Sequence, residues 1–137
     1  MRQITKLMIN DFNIKKLGYD FMGFRFNRLS ELSFHHLVIP HRECKGIERD
    51  GYVKWNGAIL VQETSHEYLH TIQIYDRATF EQITNLMIEM NNNNSLDRER
   101  LMEIEMLLRG FEENYSEYSN KKGHKLIKDR YYQRIYR

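Results

Sequence analysis

Three segments decide how this chain is expected to fold: Phe-His-His-Leu-Val-Ile-Pro at residues 34–40, Trp-Asn-Gly-Ala-Ile-Leu-Val at 55–61, and Thr-Ser-His-Glu-Tyr-Leu-His at 64–70. The first two contain apolar runs of strand length, and the third opens an amphipathic helix that extends to about residue 74. Most of the six histidines lie between His35 and His70. Two strands and a helix are therefore expected to carry most of the histidines.

Two of these histidines have the spacing of metal ligands on a helix. His66 and His70 are four residues apart, so their imidazoles would project from one helical face about one turn apart and could share a metal ion. His35 is a plausible third ligand, and three protein ligands with an open position are typical of a catalytic metal site. Imidazole suits zinc and nickel, whereas manganese and magnesium bind it more weakly. We therefore expect one divalent ion, with zinc, nickel, manganese and magnesium as candidates.

The adjacent pair His35 and His36 is expected to divide its work. Successive residues of a strand point to opposite faces, so the two cannot both reach the metal. One can ligate while its neighbour stays free, with a near-neutral pKa, to take a proton from water. Each motif alone also has a structural explanation, because a strand histidine can be merely half-buried and helical histidines can sit on an amphipathic face. Their combination favours a metal site.

The order and spacing of these residues resemble the His-Asn-His (HNH) endonuclease family over about residues 20 to 75. The resemblance implies a ββα-metal finger, which is a two-stranded antiparallel hairpin with a helix, embedded here in additional helices. It also implies that His36 is the general base and that Asn56 braces it. The metal ligands implied by the resemblance are His35, His66 and His70.

The chain departs from many members of that family in one respect. Their second strand runs into a zinc-binding cysteine pair, whereas the corresponding positions here are Gln62 and Ser65. The chain has a single cysteine, Cys44. A structural zinc ribbon is therefore excluded, and the flanking helices are expected to hold the finger in place.

Two basic segments are candidate nucleic-acid contacts. In the family, the loop between the two strands lies beside the bound phosphodiester, so its cations could position the substrate; they are Arg42, Lys45, Arg49 and Lys54. The alternative is a solvated loop of mixed charge. Residues 121–137 form a basic tail with interleaved tyrosines, which could clamp phosphates or could be a solubilising end.

The rest of the chain predicts helical support. Apolar residues recur at helical spacing from Ala78 to Met90, Asp76 is a fair N-cap, and the asparagine run at 91–94 ends this helix. Ser95 or Asp97 can cap a second helix, whose exposed side is expected to carry Glu99, Glu103, Glu105, Glu112 and Glu113. Near the N-terminus a short helix is expected, then a strand over Phe21 to Phe26 with an aromatic core layer.

We therefore expect an α+β fold with a single nuclease domain at residues 1–120 and the basic tail at 121–137. The finger would span about residues 30–75, and the supporting helices about 78–115. The formal net charge of +2 says little about nucleic acid. No apolar run approaches the ~20 residues of a membrane span, and the N-terminus lacks a secretion signal, so no membrane association and a cytoplasmic location are expected.

The expected function is a metal-dependent endonuclease that hydrolyses phosphodiester bonds in DNA with one metal ion and a histidine base. A homodimer or a guiding protein partner could supply specificity, because no second recognition domain is evident. One alternative is a catalytically inactive HNH-like module that binds nucleic acid or is stabilised by metal. Another is a helical protein-interaction domain in which the histidines coincide by chance.

Overall fold

The two predicted strands form an antiparallel hairpin in the computed structural model, which describes residues 1–121 and 133–136. Strand β1 covers Leu32–His36 and β2 covers Gly57–Val61. Leu32 lies opposite Val61, and His36 lies opposite Gly57. Every residue of β2 is buried, so the hairpin is part of the core. A connection of twenty residues, 37–56, joins the strands and lies beside the histidines.

Within the described residues, five α-helices surround this hairpin, which confirms the α+β class. They are α1 Gln3–Asp11, α2 Ile14–Leu17, α3 Glu67–Tyr75, α4 Arg77–Asn93 and α5 Arg98–Lys121. Helices α3, α4 and α5 pack on one another in sequence, and α4 also contacts β2. One hydrophobic core unites these elements, from Met8 in α1 to Phe111 in α5. No helix in the described part of the chain is long and apolar enough to cross a membrane.

A π-helical turn at Gln62–His66 leads from β2 into α3. The predicted helix thus begins as a wider turn, and regular α-helix starts only at Glu67. His66 therefore closes the turn while His70 lies inside α3.

The ends of α4 and α5 follow the predicted caps. The Asp76 carboxylate accepts the backbone N–H of Thr79 at 3.2 Å, which confirms it as the N-cap of α4. Asp97 rather than Ser95 caps α5, because its carboxylate accepts the N–H of Arg100 at 2.9 Å. The prediction that the asparagine run ends α4 is confirmed. The helix continues to Asn93 and ends where Asn94 adopts the left-handed conformation, with φ of 54°.

The predicted strand at Phe21 to Phe26 does not form, whereas the aromatic core layer does. A turn centred on the fully buried Asp20 replaces the strand, because the carboxylate accepts the N–H groups of Met22 at 2.8 Å and Phe24 at 3.0 Å. Phe21 and Phe24 are completely buried. The other oxygen of Asp20 accepts the N–H of Val61 at 2.8 Å, which ties this turn to the end of β2.

The predicted basic tail lies mostly outside the described residues, but residues 133–136 pack against the helical body. Arg134 is 3% exposed, and its guanidinium contacts the carboxylates of Glu105 and Glu112, each at 2.7 Å. The prediction that these two glutamates lie on the exposed side of α5 is therefore wrong, whereas Glu99, Glu103 and Glu113 are exposed. A carboxylate can be buried in α5 because a guanidinium from a distant segment neutralises it.

Candidate metal centre

Three histidines from three different elements meet in one cluster. His35 comes from β1, His66 from the π-helical turn and His70 from α3, and one ring nitrogen of each lies within 4.8 Å of the others. The Nε2 atoms of His66 and His70 are 3.1 Å apart. Two nitrogens that share a tetrahedral zinc ion at about 2.0–2.1 Å lie roughly 3.3 Å apart, so this spacing fits a common ion. The three predicted ligands are thus close enough together to bind a metal.

Burial lowers the pKa of two of these imidazoles, which favours the neutral form that binds a metal cation. It lowers the pKa of His35 to about 3, and the neighbouring His66, His70 and His36 lower this pKa further. It also lowers the pKa of His66 to about 4, with His70 as the second cause. Metal ions bind neutral imidazole, and both rings are neutral at pH 7. The donor set therefore suits a divalent ion that prefers nitrogen.

His36 lies next to this cluster but belongs to a different set of contacts. Its ring touches those of Phe34, His41 and Tyr52, whereas the ring of His35 touches those of the other two cluster histidines. The Nε2 of His36 is 3.2 Å from the backbone carbonyl of Asp50. Because a carbonyl can only accept, Nε2 carries the proton, and Nδ1 of the neutral ring is left as an acceptor.

Asn56 is fully buried, and its side chain makes four hydrogen bonds to backbone groups of the connection between the strands. Its Oδ1 accepts the N–H groups of Val38 at 3.0 Å and Ile39 at 2.7 Å. Its Nδ2 donates to the carbonyls of Ile39 and Gly51, both at 3.1 Å. Among the described contacts of Asn56, none reaches the imidazole of His36. Asn56 is instead connected to His36 through the loop, since it bonds Gly51, and Gly51 follows Asp50, whose carbonyl contacts the ring.

The cluster and His36 open into one cleft of about 690 Å³. One wall is the start of the connection, from Val38 to Glu43, and the other is the first half of α4. That second wall contributes Arg77, Phe80, Glu81, Thr84 and Asn85. The cleft thus combines the cluster, two imidazoles outside it and side chains from the connection and from α4.

The four cations predicted from the loop are not equivalent. Arg42 lines the cleft. Lys45 and Arg49 are exposed and are not among its lining residues. The Nζ of Lys54 lies 3.2 Å from the carboxylate of Asp11 and donates to the side chain of Asn94. Lys54 therefore connects α1 with the end of α4, which makes a structural role the better account of it.

Sequence reasoning missed several residues of the cleft. Arg77 lines it from α4, where its only described ion pair is an exposed contact of 3.4 Å with Glu81. Tyr52 and His41 lie beside His36, with ring centroids at 4.6 Å and 5.0 Å. His41 stands outside the metal cluster but borders the cleft. A periodic pattern could not reveal these positions, because they depend on how α4 and the connection fold over the hairpin.

Residues 66–70 also read His-Glu-X-X-His, the pattern of zinc peptidase helices in which the glutamate acts as general base. Here Glu67 is exposed, and it is not among the residues that line the cleft. His36, by contrast, borders both the cleft and the neighbourhood of the cluster. The geometry therefore favours His36 over Glu67 as the group that could take a proton at this site.

Comparison with known proteins identifies no family for the chain. No protein-family model matches it, and neither a curated protein nor a solved structure matches it with significance. The function must therefore be inferred from the chemistry of the cleft.

Proposed function

We propose that the chain is a metal-dependent endonuclease of the HNH type, in which β1, β2 and α3 form a ββα-metal finger. The order of these elements and the positions of the histidines on them support this proposal. Helices α1, α4 and α5 then take the supporting role that a cysteine-bound zinc has in many such proteins. Asn91 of α4 illustrates the support, because its Nδ2 donates to the carbonyls of Lys54 and Gly57 at the start of β2.

One observation carries the proposal: a histidine outside the metal cluster faces the same cleft as the cluster. A histidine cluster that only stabilised the fold or only held metal would not need a further imidazole beside it with an unprotonated ring nitrogen. His36 has that nitrogen at Nδ1, because Nε2 donates to Asp50. A neutral imidazole near pH 7 is the usual general base of enzymes.

The residues divide the reaction as follows. Nδ1 of His36 takes a proton from a water molecule, which attacks the phosphorus of the scissile phosphodiester. His35, His66 and His70 would hold the divalent ion, which when bound stabilises the charge that grows on the phosphate and on the leaving 3′ oxygen. Asn56 holds the loop that contacts His36 in place through its hydrogen bonds to the loop backbone. The products expected from the family resemblance are a 5′ phosphate and a 3′ hydroxyl.

The proposed substrate is DNA, and Arg42 and Arg77 are its proposed phosphate contacts. They reach the cleft from its two walls, one from the connection and one from α4. The exposed pair that Arg77 makes with Glu81 is weak enough to be exchanged for a phosphate. A homodimer or a guiding partner would supply specificity, because contacts to phosphates do not read the base sequence.

The test is nicking of supercoiled plasmid by the purified chain in a panel of zinc, nickel, manganese and magnesium, with and without a chelator. His36→Ala should lower nicking by about 100-fold or more while leaving the metal dissociation constant nearly unchanged. His70→Ala should weaken the metal itself, as measured by calorimetry. Glu67→Gln is the matched control and should nick like the wild type.

Three results would contradict the proposal. Nicking that survives complete chelation would exclude a metal-dependent mechanism. A wild-type chain that binds metal and DNA but cuts neither strand would indicate the inactive binding module instead. Loss of activity in Glu67→Gln with retention in His36→Ala would point to peptidase-like chemistry at residues 66–70.

A further inference from the structure

We propose that Tyr52 is a positioning residue for the imidazole of His36, an inference that rests on the proposed nuclease function. The ring centroids of Tyr52 and His36 are 4.6 Å apart, and the planes meet at 76°. Phe34 contacts the same imidazole at 5.0 Å and 80° from its place two residues earlier in β1. Phe34 and Tyr52 also touch each other at 5.2 Å. The imidazole thus lies in a corner made by two aromatic rings.

The ring contacts restrict the orientation of the His36 imidazole, which its single hydrogen bond does not fix. The hydrogen bond from Nε2 to the Asp50 carbonyl holds one corner of the imidazole, but it limits rotation about the Cβ–Cγ bond only weakly, because Nε2 lies close to that axis. Rotation would carry Nδ1, on the other side of the ring, away from the water that it must deprotonate. The rings of Phe34 and Tyr52 restrict the plane of the imidazole and therefore the direction of Nδ1. Such orientation matters because a misplacement of about 1 Å can cost about 100-fold in rate.

The turn at Gly51 places the Asp50 carbonyl and the Tyr52 ring against the same imidazole. Gly51 between them has φ of 79°, and a Cβ there would overlap the Sγ of Cys44, so a side chain would disrupt this turn. The Gly51 carbonyl accepts a hydrogen bond from the buried amide of Asn56 at 3.1 Å. The carbonyl of residue 50 and the ring of residue 52 therefore reach the imidazole from a backbone that the core holds in place.

Arg2 restrains Tyr52 from outside the corner. The guanidinium carbon of Arg2 lies 3.7 Å from the centroid of the Tyr52 ring, which is a cation–π contact. The ring is thereby contacted by a cation as well as by its aromatic neighbours. Arg2 immediately precedes α1, so this contact also joins the first helix to the corner that surrounds the base.

The experiment compares Tyr52→Leu, Tyr52→Phe and the control Trp55→Leu in the full chain. Trp55 is a half-exposed aromatic residue only three positions away, and it lies outside the described ring contacts of His36. Tyr52→Leu should lower kcat for plasmid nicking by about 10-fold, with KM and the zinc dissociation constant within about twofold of wild type. Tyr52→Phe keeps the ring and should restore at least half of the wild-type kcat. Trp55→Leu should nick like the wild type.

A second readout separates this inference from the nuclease proposal. Nitrogen-15 NMR of the histidine rings, recorded without substrate, should show a single Nε2–H tautomer for His36 in the wild type and in Tyr52→Phe, and an averaged, exchange-broadened ring in Tyr52→Leu. Unchanged His36 signals in Tyr52→Leu, or a Tyr52→Phe variant as impaired as Tyr52→Leu, would overturn the positioning role. If the wild type cut nothing, the nuclease proposal would fail, and the NMR comparison would still decide whether Tyr52 orients the ring.

Discussion

Replacing Asn56 with aspartate should remove the main brace of the connection between the two strands. The change keeps the shape of the side chain but turns Nδ2 into an oxygen, which cannot donate to the carbonyls of Ile39 and Gly51. Leaving a buried acceptor unpaired costs about 1–3 kcal/mol, so the two losses together cost at most about 2–6 kcal/mol. The Ile39 carbonyl keeps a weak contact from the Cys44 thiol at 3.5 Å, which lowers its share. Protonation of the buried carboxyl group would restore one donor, which places the expected loss near about 3 kcal/mol. The melting temperature should then fall by about 10 °C.

A matched variant separates the loss of stability from the loss of position. Asn91→Asp makes the same chemical change at a residue that is 5% exposed, and its Nδ2 also donates to two carbonyls, those of Lys54 and Gly57. Its melting temperature should fall by a similar amount. Asn91 makes none of the described bonds to the backbone at residues 38, 39 and 51 that Asn56 makes. Nicking measured well below both melting temperatures should therefore fall more in Asn56→Asp.

Circular dichroism melts of the metal-free and zinc-loaded chains give the first comparison, and plasmid nicking gives the second. A melting temperature for Asn56→Asp within about 2 °C of wild type would refute the reasoning, because the hydrogen bonds of the buried Asn56 amide could not then be holding the loop. Equal nicking by Asn56→Asp and Asn91→Asp would leave the stability argument intact. It would also show that Asn56 does not help to position the base His36.

Three further outcomes are expected. Gly57→Ala should destabilise the chain by about 1–3 kcal/mol in urea unfolding, because a Cβ at this position would overlap the ring of Phe34. An unchanged unfolding midpoint would contradict this close contact between Gly57 and Phe34. Burial raises the pKa of Asp20 to about 6, so the stability that this group contributes is present below about pH 4 and is lost as the pH rises through about 6, by about 3 kcal/mol. Asp20→Asn should abolish this part of the pH dependence. Unfolding midpoints that fall equally in the two proteins between about pH 4 and pH 7 would argue against it. Zinc binding at pH 6 should displace few protons, because the pKa of His35 is about 3 and that of His66 about 4, so both rings are already neutral. Calorimetry in buffers of different ionisation enthalpy measures the number of protons released. Release of two or more protons would be inconsistent with these pKa values.

Local patterns in the sequence were sufficient for the elements that carry the site. The apolar runs gave the correct positions for the two strands, and the spacing of His66 and His70 placed both on one side of the start of a helix. Strand alternation correctly separated His35 from His36. The carboxylate of Asp76 capped α4 as expected. These features depend on neighbours within a few residues, so the periodicity of the chain encodes them directly.

Only the tertiary structure decided which side chains complete the cleft. Arg42 and Arg77 both carry a positive charge on an exposed segment, but the packing of α4 against the hairpin is what brings them to one cleft. Lys54 has the same charge and sits in the same connection as Arg42, yet a carboxylate in α1 binds it. Tyr52 lies beside His36 because it follows the turn at Gly51, whose carbonyl accepts a hydrogen bond from Asn56.

The same reason explains the two corrections to the fold. Residues 21–26 have the composition of a strand, but the carboxylate of Asp20 offers their backbone N–H groups an alternative partner, and a turn forms. Glu105 has the composition of a solvated helix face, but Arg134 reaches it from 29 residues further along the chain and permits its burial. Sequence periodicity determines which elements form and which of their faces are apolar. Which charged and aromatic side chains meet depends on contacts between residues far apart in the chain, and only the packed structure specifies those contacts.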